Sequence, residues 1–501
     1  MSDILSASYY LVPETIASQG KTSAVTDPAT LNKVGDRASV TDAEINSVLD
    51  QMTVAQKSWS ALDAKTRSAL LHRLAARIEA TDMTECAILM SREMGKPYPE
   101  AIGEVANCAP IFRYFAEMAR DEAGKVAGST QAGSFQYARY EALGISVHIM
   151  PFNFPILLMC WTVAASLAAG NACVIKPAEA TSLSTLAFME VFNDLPTGLV
   201  ACLPGDASVG KQLVDSKKTH AVAFTGSVAA GKAVAEAAAR GLKPAVIEAG
   251  GSDPMIITAH APIPVAAAGA VTGAFHMSGQ VCTSTERMYV VESIHDEFIR
   301  AFVAETQQLR IGNGLDKSEI GPVVSQAARD KVIRLVNDAV AKGARVECGG
   351  KIPEAAGPGW FYEPTILTGC TPDMDILNEE IFGPVVAVVK VADFEEAITR
   401  ANDSEYGLGA SIFTTDLAEA HEAVERLEAG LVWVNNPMID NDALPFGGWK
   451  SSGIGRELGR VGLDTFRRSK MVVLDHQPIR HDWWYPYPDE WFLDSGGRKH
   501  V

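Results

Sequence analysis

Three segments of the 501-residue sequence place reactive side chains in settings that suit chemistry. Residues 275–287 read FHMSGQVCTSTER, so small and hydroxyl residues bracket Cys282. A thiol with room and donors around it can act as a nucleophile, whereas a cysteine packed in apolar residues is an inert small hydrophobe. Both readings of Cys282 stay open on this segment alone. AVIEAGG ends an apolar run with Glu248 ahead of two glycines, a carboxylate at a strand tip where a general base can sit. In PFNFP, Asn153 lies between Pro151 and Pro155; an amide held that rigidly can donate to an oxyanion, and a plain turn accounts for the same residues. The other cysteines, Cys86, Cys108, Cys160, Cys173, Cys202, Cys348 and Cys370, are scattered singly, without a CxxC pair or Cys/His zinc spacing. This excludes a disulfide framework and a structural zinc site. The ten histidines form no HxH or HExxH, so a metal-dependent hydrolase has no support and no metal site is expected.

The elements that must carry these residues follow from periodicity. From Thr41 to about Asp121 apolar residues recur at helical spacing, as in KTRSALLHRLAARIEA. Residues 125–150 switch to alternation broken by small-residue turns, which predicts a projecting hairpin. Then β-branched runs alternate with Ala-rich helices: NACVIKP, TLAFMEVFNDL, GLVACLP, VGKQLVDS, HAVAFTG, AAGKAVAEAAARG and AVIEAGG. Strand, helix, strand in that rhythm predicts a parallel sheet with helical crossovers, the architecture of a nucleotide-binding domain. A second alternating region spans 256–440, so two α/β domains are predicted. Ligands of open α/β sheets bind beyond the carboxyl ends of strands, where Lys176 and Glu179 follow one run and Thr225, Gly226, Ser227 and Gly231 follow another. Glycines there let a pyrophosphate approach a helix N-terminus, although the spacing is not GxGxxG and a tight turn explains it as well.

Length and composition agree. A chain of 501 residues exceeds a single core, 47% of its residues are hydrophobic and 21% charged, and its formal charge is −18. That acidity argues against nucleic acid and anionic membranes as partners and favours a small molecule. The sequence has no apolar run of about 20 residues and no secretory leader, and is read as cytoplasmic.

Taken together and in order, PFNFP at 151, KPAE at 176, FTGSVAAG at 224, EAGG at 248, GQVC at 279, EEIFGPV at 379, NDSEYGLGASIFT at 402 and PFGGWKSSGIGRELG at 445 resemble an NAD(P)-dependent aldehyde dehydrogenase of the non-acylating, hydrolytic type, from about residue 40 to 470. The interval from Glu248 to Cys282 is the family's usual one. The resemblance implies an α/β fold with two parallel-sheet domains, one Rossmann-like for the cofactor and one catalytic, plus a small β oligomerisation element. It places the cofactor domain at 1–124 and 146–254 and the catalytic domain at 255–452. An oligomerisation hairpin and strand fall at 125–145 and 453–480, and an aromatic C-terminal tail at 481–501. It implies a homodimer or homotetramer that oxidises an aldehyde to the carboxylic acid through a thiohemiacetal, hydride transfer and thioester hydrolysis. The CoA-acylating semialdehyde dehydrogenase is the alternative, against which Glu248 argues.

By the same resemblance Cys282 is the nucleophile, Asn153 and the Cys282 backbone N–H hold the oxyanion, and Glu248 activates water. Lys176 and Glu179 contact the adenosine ribose, Gly226 and Ser227 the pyrophosphate, Glu380 and Phe382 the nicotinamide ribose and its surroundings, and Phe152 is a further cofactor-binding residue. Glu179 would repel a 2′-phosphate, which favours NAD and leaves NADP as a second cofactor. One departure is that Ala249 and Ser252 stand where the family usually has Leu and Lys; Glu248 and both glycines survive. The substrate tunnel is expected to be lined by Phe154, Leu157, Leu158, Trp161, Val281, Thr283 and the loop NNPMIDNDALP with Asp440 and Asp442. The apolar lining fits an aromatic or aliphatic aldehyde, the carboxylates disfavour an anionic one, and Arg113 would instead welcome a semialdehyde's carboxylate. The sequence does not choose. The tail gathers Trp483, Trp484 and Trp491 with Pro486 and Pro488, and is expected to pack across a subunit or onto its own.

Overall fold

The computed structural model describes residues 5–120, 124–354 and 356–493; residues 1–4, 121–123 and 355, and the last eight residues of the expected tail, 494–501, lie outside the described residues. Runs such as Ala172–Lys176 (ACVIK) and Ala221–Thr225 (AVAFT) are buried along their whole length, as strands covered on both faces must be. With Ile145–Ile149, Val200–Cys202 and Ala245–Glu248 they form five parallel strands. Their spatial order runs Ala245–Glu248, Ala221–Thr225, Ile145–Ile149, Ala172–Lys176, Val200–Cys202. The first of these in the chain, Ile145–Ile149, is central, and the winding reverses there. Such a reversal opens a crevice at the carboxyl ends.

The pairing register levels those ends. Ile149 pairs with Lys176 on one side and Phe224 on the other, and Thr225 pairs with Glu248. Antiparallel strands widen the sheet to eight: Ser8–Leu11 and Glu14–Ala17 at one edge, Gly453–Ile454 at the other. The two-residue strand at 453 corrects the expected boundary. Gly453 pairs with Glu248 and Ile454 with Ile247, so this part of the segment 453–480 closes the first sheet instead of belonging to an oligomerisation strand. The second sheet runs Arg345–Cys348, Thr365–Thr368, Val385–Val391, Thr285–Val291, Asp253–Ile257, Gly409–Phe413, Leu431–Val434, parallel throughout except at Arg345–Cys348.

The predicted helical region forms five helices: Asp42–Ala61, Ala64–Ala80, Thr84–Met94, Tyr98–Ala106 and Cys108–Met118. The first opens on a capping box, in which Thr41 accepts from the Glu44 N–H while Glu44 reaches back to the Thr41 N–H. The helix Leu157–Ala169 is apolar nearly all round and buried beside the first sheet, which is why its sequence shows no polar face.

A separate small unit holds residues 124–141 and 469–493. Its three-stranded sheet orders Arg467–Asp475, Ser134–Ala142 and Gly124–Val126, with Met471, Val473 and Leu474 exposed. The tail rings pack on one another: Tyr485 lies 4.6 Å from Tyr487 and Tyr487 5.8 Å from Trp491, centroid to centroid.

Candidate active site

Cys282 sits in a loop between the helix Ile263–Phe275 and the strand Thr285–Val291, and that loop is wound the unfavourable way. Met277, Ser278 and Gly279 take φ of 51°, 59° and 70° in succession. Two non-glycine residues in the left-handed region cost about 1 kcal/mol or more each, so the surroundings must fix them. They do. Ser278 Oγ donates to the Gly321 carbonyl at 2.9 Å, and the Gln280 side chain donates to Met277 O at 3.1 Å and accepts from Val324 N at 2.9 Å. A Cβ on Gly279 would lie 2.1 Å from the Gly383 carbonyl, and one on Gly251 2.4 Å from the Cys282 carbonyl, so both positions admit only glycine. Cys282 ends up 9% exposed, between buried Val281 and Thr283.

Asn153 follows the central strand and is 2% exposed. Its Nδ2 donates to the Gln280 carbonyl at 3.0 Å, which fixes the amide against the cysteine loop and leaves its second N–H for a ligand. Beneath it lies a fully buried ion pair that sequence reasoning missed. Lys96 Nζ pairs with Glu104 and donates to the Asn153 carbonyl at 2.6 Å. Glu104 Oε1 accepts from the N–H groups of Ile156 and Leu157 at 2.8 and 3.0 Å, so a carboxylate from another helix caps Leu157–Ala169. The ammonium also lies 4.8 Å from the Phe154 ring centroid and 4.0 Å from Met277 Sδ. One pair thus ties the amide, the helix start and the cysteine loop together.

Glu248 is 2% exposed, and neither of its carboxylate oxygens has a hydrogen-bond partner among the described residues. Burial pushes its pKa well above the usual carboxylate range; buried Glu457 raises it further, and the adjacent Cys282 thiol pulls it back. Burial likewise pushes the Cys282 thiol up, with Glu248 adding to the effect. A thiol and a carboxylate that each resist ionisation are placed to pass a proton between them. Glu457, lifted to about 8 by burial, also lacks a partner among the described residues, and was not singled out from the sequence.

A cleft of about 360 Å³ opens over the levelled strand ends and gathers Phe152, Asn153, Thr225, Gly226, Ser227, Glu248, Cys282, Glu380 and Phe382. Glu380 accepts from Gly251 N at 3.1 Å. Phe382, at φ 52°, is held by Glu286, which accepts from the N–H groups of Ile381 and Phe382 at 2.8 and 2.7 Å. Phe152 and Phe382 meet edge to face across the cleft at 5.7 Å. Ser227 caps the helix Val228–Arg240, whose N-terminus faces this space. The buried Thr225 hydroxyl and Glu248 carboxylate lack partners among the described residues, and a polar ligand between aromatic walls satisfies that chemistry. The residues present therefore fit a nicotinamide dinucleotide. Lys176 and Glu179 stand outside this lining, beyond Ala178. Lys176 Nζ donates to Pro177 O at 2.9 Å, burial lowers its pKa to about 8, and Glu179 is paired with Arg37. Ser252 is held by Arg287, whose Nε donates to its carbonyl at 2.9 Å, so the departure at this position is packed and bonded.

The residues expected to line the substrate tunnel are not all brought to one cleft. A second cleft, about 520 Å³, has Leu157, Trp161, Met438, Asp440, Asp442 and Leu458 in its lining. Leu158, Phe154, Val281 and Thr283 do not line it. Leu157 and Trp161, four residues apart, share one face of the helix, which turns Leu158 into the core; Phe154 is taken under the Lys96 ammonium, and Val281 and Thr283 are buried in the cysteine loop. Trp161 packs edge to face on Phe446 at 4.9 Å. Asp440 is exposed along one flank, yet the concave surroundings push its carboxyl up to about 6, and its charge reaches the Cys282 thiol. Arg113 pairs with Glu79 and is not part of this lining.

Comparison with known proteins agrees with this geometry. The aldehyde dehydrogenase family matches residues 15–472. A betaine aldehyde dehydrogenase of Brucella anthropi is 38% identical over 462 residues, covering 91% of this chain and 94% of that protein. The crystal structure of a Staphylococcus aureus betaine aldehyde dehydrogenase in complex with NAD+ superposes with a TM-score of 0.92 at 32% identity, covering 96% of this chain and 97% of that one. A structure described as an NADP dependent enzyme of E. coli superposes with a TM-score of 0.91, also at 32% identity, covering 95% of this chain and 99% of that one. The chain belongs to the aldehyde dehydrogenase family, whose NAD(P)-dependent members oxidise an aldehyde to its carboxylic acid.

Proposed function

We propose that Cys282, Asn153 and Glu248 divide the oxidation between them, and that the aldehyde this chain takes carries a neutral or cationic body. The observation that carries the mechanism is the unpartnered, buried Glu248 carboxylate beside Cys282, with the Asn153 amide anchored on the same loop. Glu248 takes the thiol proton, and the Cys282 sulfur bonds to the aldehyde carbon to give a thiohemiacetal. The free Asn153 N–H stabilises the oxygen as charge gathers on it. A nicotinamide dinucleotide, held in the cleft walled by Phe152 and Phe382, would supply the hydride acceptor for oxidation of the thiohemiacetal to a thioester. Glu248 passes the thiol proton to solvent and then deprotonates water for attack on that thioester; the carbon–sulfur bond breaks to release the acid, and the departing Cys282 sulfur takes the proton back from Glu248.

The substrate reading rests on the entrance. Trp161 offers an aromatic face, and Asp440 supplies negative charge sensed at Cys282. Arg113, the cation that would have favoured a semialdehyde, is engaged by Glu79. A quaternary ammonium or amino group gains from an aromatic ring and a carboxylate, whereas a substrate carboxylate meets repulsion. The relatives named as betaine aldehyde dehydrogenases fit that preference. Exposed Met471, Val473 and Leu474 on the small sheet support a homodimer or homotetramer, and eight free cysteines support a reducing, cytoplasmic setting.

Initial rates of NADH formation at 340 nm across aldehydes of matched length, with ammonium, methyl or carboxylate ends, test the substrate reading. The expected order in kcat/KM is ammonium, methyl, carboxylate, with about tenfold between the extremes. A carboxylated aldehyde at the head of the series refutes it.

A further inference from the structure

The wall of the reactive cleft that carries Glu380 and Phe382 is a turn held from outside the cleft. Glu286 lies four residues beyond Cys282, at the start of the buried strand Thr285–Val291, and is not itself part of the cleft lining. It is 2% exposed, and both its oxygens are committed to the turn: Oε2 accepts from Ile381 N–H at 2.8 Å and Oε1 from Phe382 N–H at 2.7 Å. These bonds hold Phe382 at φ 52°, a conformation unfavourable for any residue with a side chain. The same turn meets the cysteine loop directly, since a Cβ on Gly279 would lie 2.1 Å from the Gly383 carbonyl. Glu380 reaches the other way, to the glycines after Glu248: it accepts from Gly251 N–H and stands 2.6 Å from where a Gly250 Cβ would be. A shift of the turn is therefore a shift of the wall against both Cys282 and Glu248. Burial and then Glu380 push the Glu286 carboxyl up to about 8, while the two N–H groups and Lys331 pull it back, so at pH 9 it is an ionised double acceptor.

We propose that Glu286 is a positioning residue for hydride transfer. Standing on the strand that follows the nucleophile, it fixes the turn bearing Glu380 and Phe382, and so sets the separation between an aldehyde carbon bound to Cys282 and a nicotinamide ring against Phe382. One carboxylate thereby joins two segments, 95 and 96 positions apart along the chain, that must stand at a defined distance for the hydride to pass. Gly226 and Ser227, expected at the pyrophosphate, follow a different strand and keep their place when this turn moves. The proposal rests on the reading that the cleft walled by Phe152 and Phe382 takes the nicotinamide half of the dinucleotide.

Two measurements on the full chain at pH 9 test it: calorimetric titration with NADH and with ADP, which lacks the nicotinamide half, and single-turnover NADH formation from an aldehyde carrying hydrogen or deuterium on its carbonyl carbon. Glu286→Gln keeps the shape but turns an NH2 group toward one of the two N–H donors. It is expected to weaken NADH about tenfold, to leave ADP within about threefold, and to slow single-turnover NADH formation about tenfold or more with a deuterium effect at least as large as the parent's. Glu286→Asp keeps the charge one methylene short and is expected to show the same pattern to a smaller degree, so it decides if the amide variant does not fold. A merely structural residue would lower the melting temperature without separating NADH from ADP. Equal weakening of both ligands, no change in either, or a slowed rate whose deuterium effect vanishes overturns the proposal. Phe382→Ala tells its failure from that of the reading beneath it. If Phe382→Ala weakens NADH relative to ADP and the Glu286 variants do not, only the role of Glu286 falls. If Phe382→Ala leaves the NADH-to-ADP ratio of the parent, the nicotinamide lies elsewhere and the proposal falls with that reading.

Discussion

The floor of the reactive cleft and the loop proposed to flank the aldehyde entrance are built by opposite means. On the floor, Asn153, Gln280, Lys96 and Glu104 are all under 4% exposed, and each makes a named hydrogen bond or ion pair that restrains another. In that loop, Ile439 and Leu444 are 59% and 60% exposed, and Asn435 and Met438 hold positive φ. A floor fixed this way has one geometry, so its substitutions act on the chemical step. A loop of exposed residues can change composition without disturbing that geometry, so its substitutions act on which aldehyde is held.

The contrast breaks most plainly at the nucleophile. Cys282→Ala is expected to lower kcat by about 10⁴-fold or more, since the remaining groups only bind and polarise. Asn153→Ala is expected to cost about 10²–10³-fold in kcat with little change in cofactor Kd, the loss of one oxyanion donor. Single-turnover rates beside cofactor titrations check both; a matching rise in Kd would place either residue in binding instead.

Lys96→Met asks whether the floor depends on the buried pair beneath it. Leaving Glu104 buried without its cation is expected to cost about 3–5 kcal/mol of stability, read as a lower melting temperature. At a temperature where the variant is folded, kcat is expected to fall about tenfold or more because the Asn153 backbone carbonyl loses its anchor and the side-chain amide its fixed position. Lys96→Arg, which keeps the charge, should recover part of it. A destabilised variant with an unchanged kcat would reduce the pair to packing alone.

How far the sequence could be read follows the same division by distance along the chain. Cys282, Glu248 and Asn153, which the structure brings to one cleft, could be singled out because each stands in a short segment of small or rigid residues, and the parallel sheet because β-branched runs alternate with helices. Lys96 and Glu104 were not, since their work is done on residues about fifty positions or more away. Arg37 reaches Glu179 from an N-terminal strand with no motif, and Gly453–Ile454 is too short to leave a pattern. The burial of Leu158 could not be read because an all-apolar helix gives no signal as to which face turns outward. Ordered motifs therefore pointed to the residues that share the cleft, while contacts between distant segments left no trace.

A smaller effect sharpens the view of the floor. As the base, Glu248 must be ionised, and its pKa is raised by burial and by Glu457, so activity is lost as pH falls through that raised value. Removing a like-charged neighbour favours the ionised form. Glu457→Gln is expected to move the acid limb of the kcat profile to lower pH by about one unit. An unmoved limb would mean that Glu457 stays protonated over the whole working range.

The smallest effect belongs to the entrance. Asp440, pushed up to about 6, is ionised at pH 8 and largely protonated at pH 5. Asp440→Asn removes the charge and keeps the shape, so KM for an ammonium-bearing aldehyde is expected to rise about three- to fivefold at pH 8, with kcat nearly constant. KM for a neutral aldehyde of equal length should not move. Below pH 5 the variant and the parent should converge, because protonation has already removed the same charge. A penalty equal for both aldehydes would make Asp440 a shaper of the loop and leave Trp161 as the selective element at this entrance.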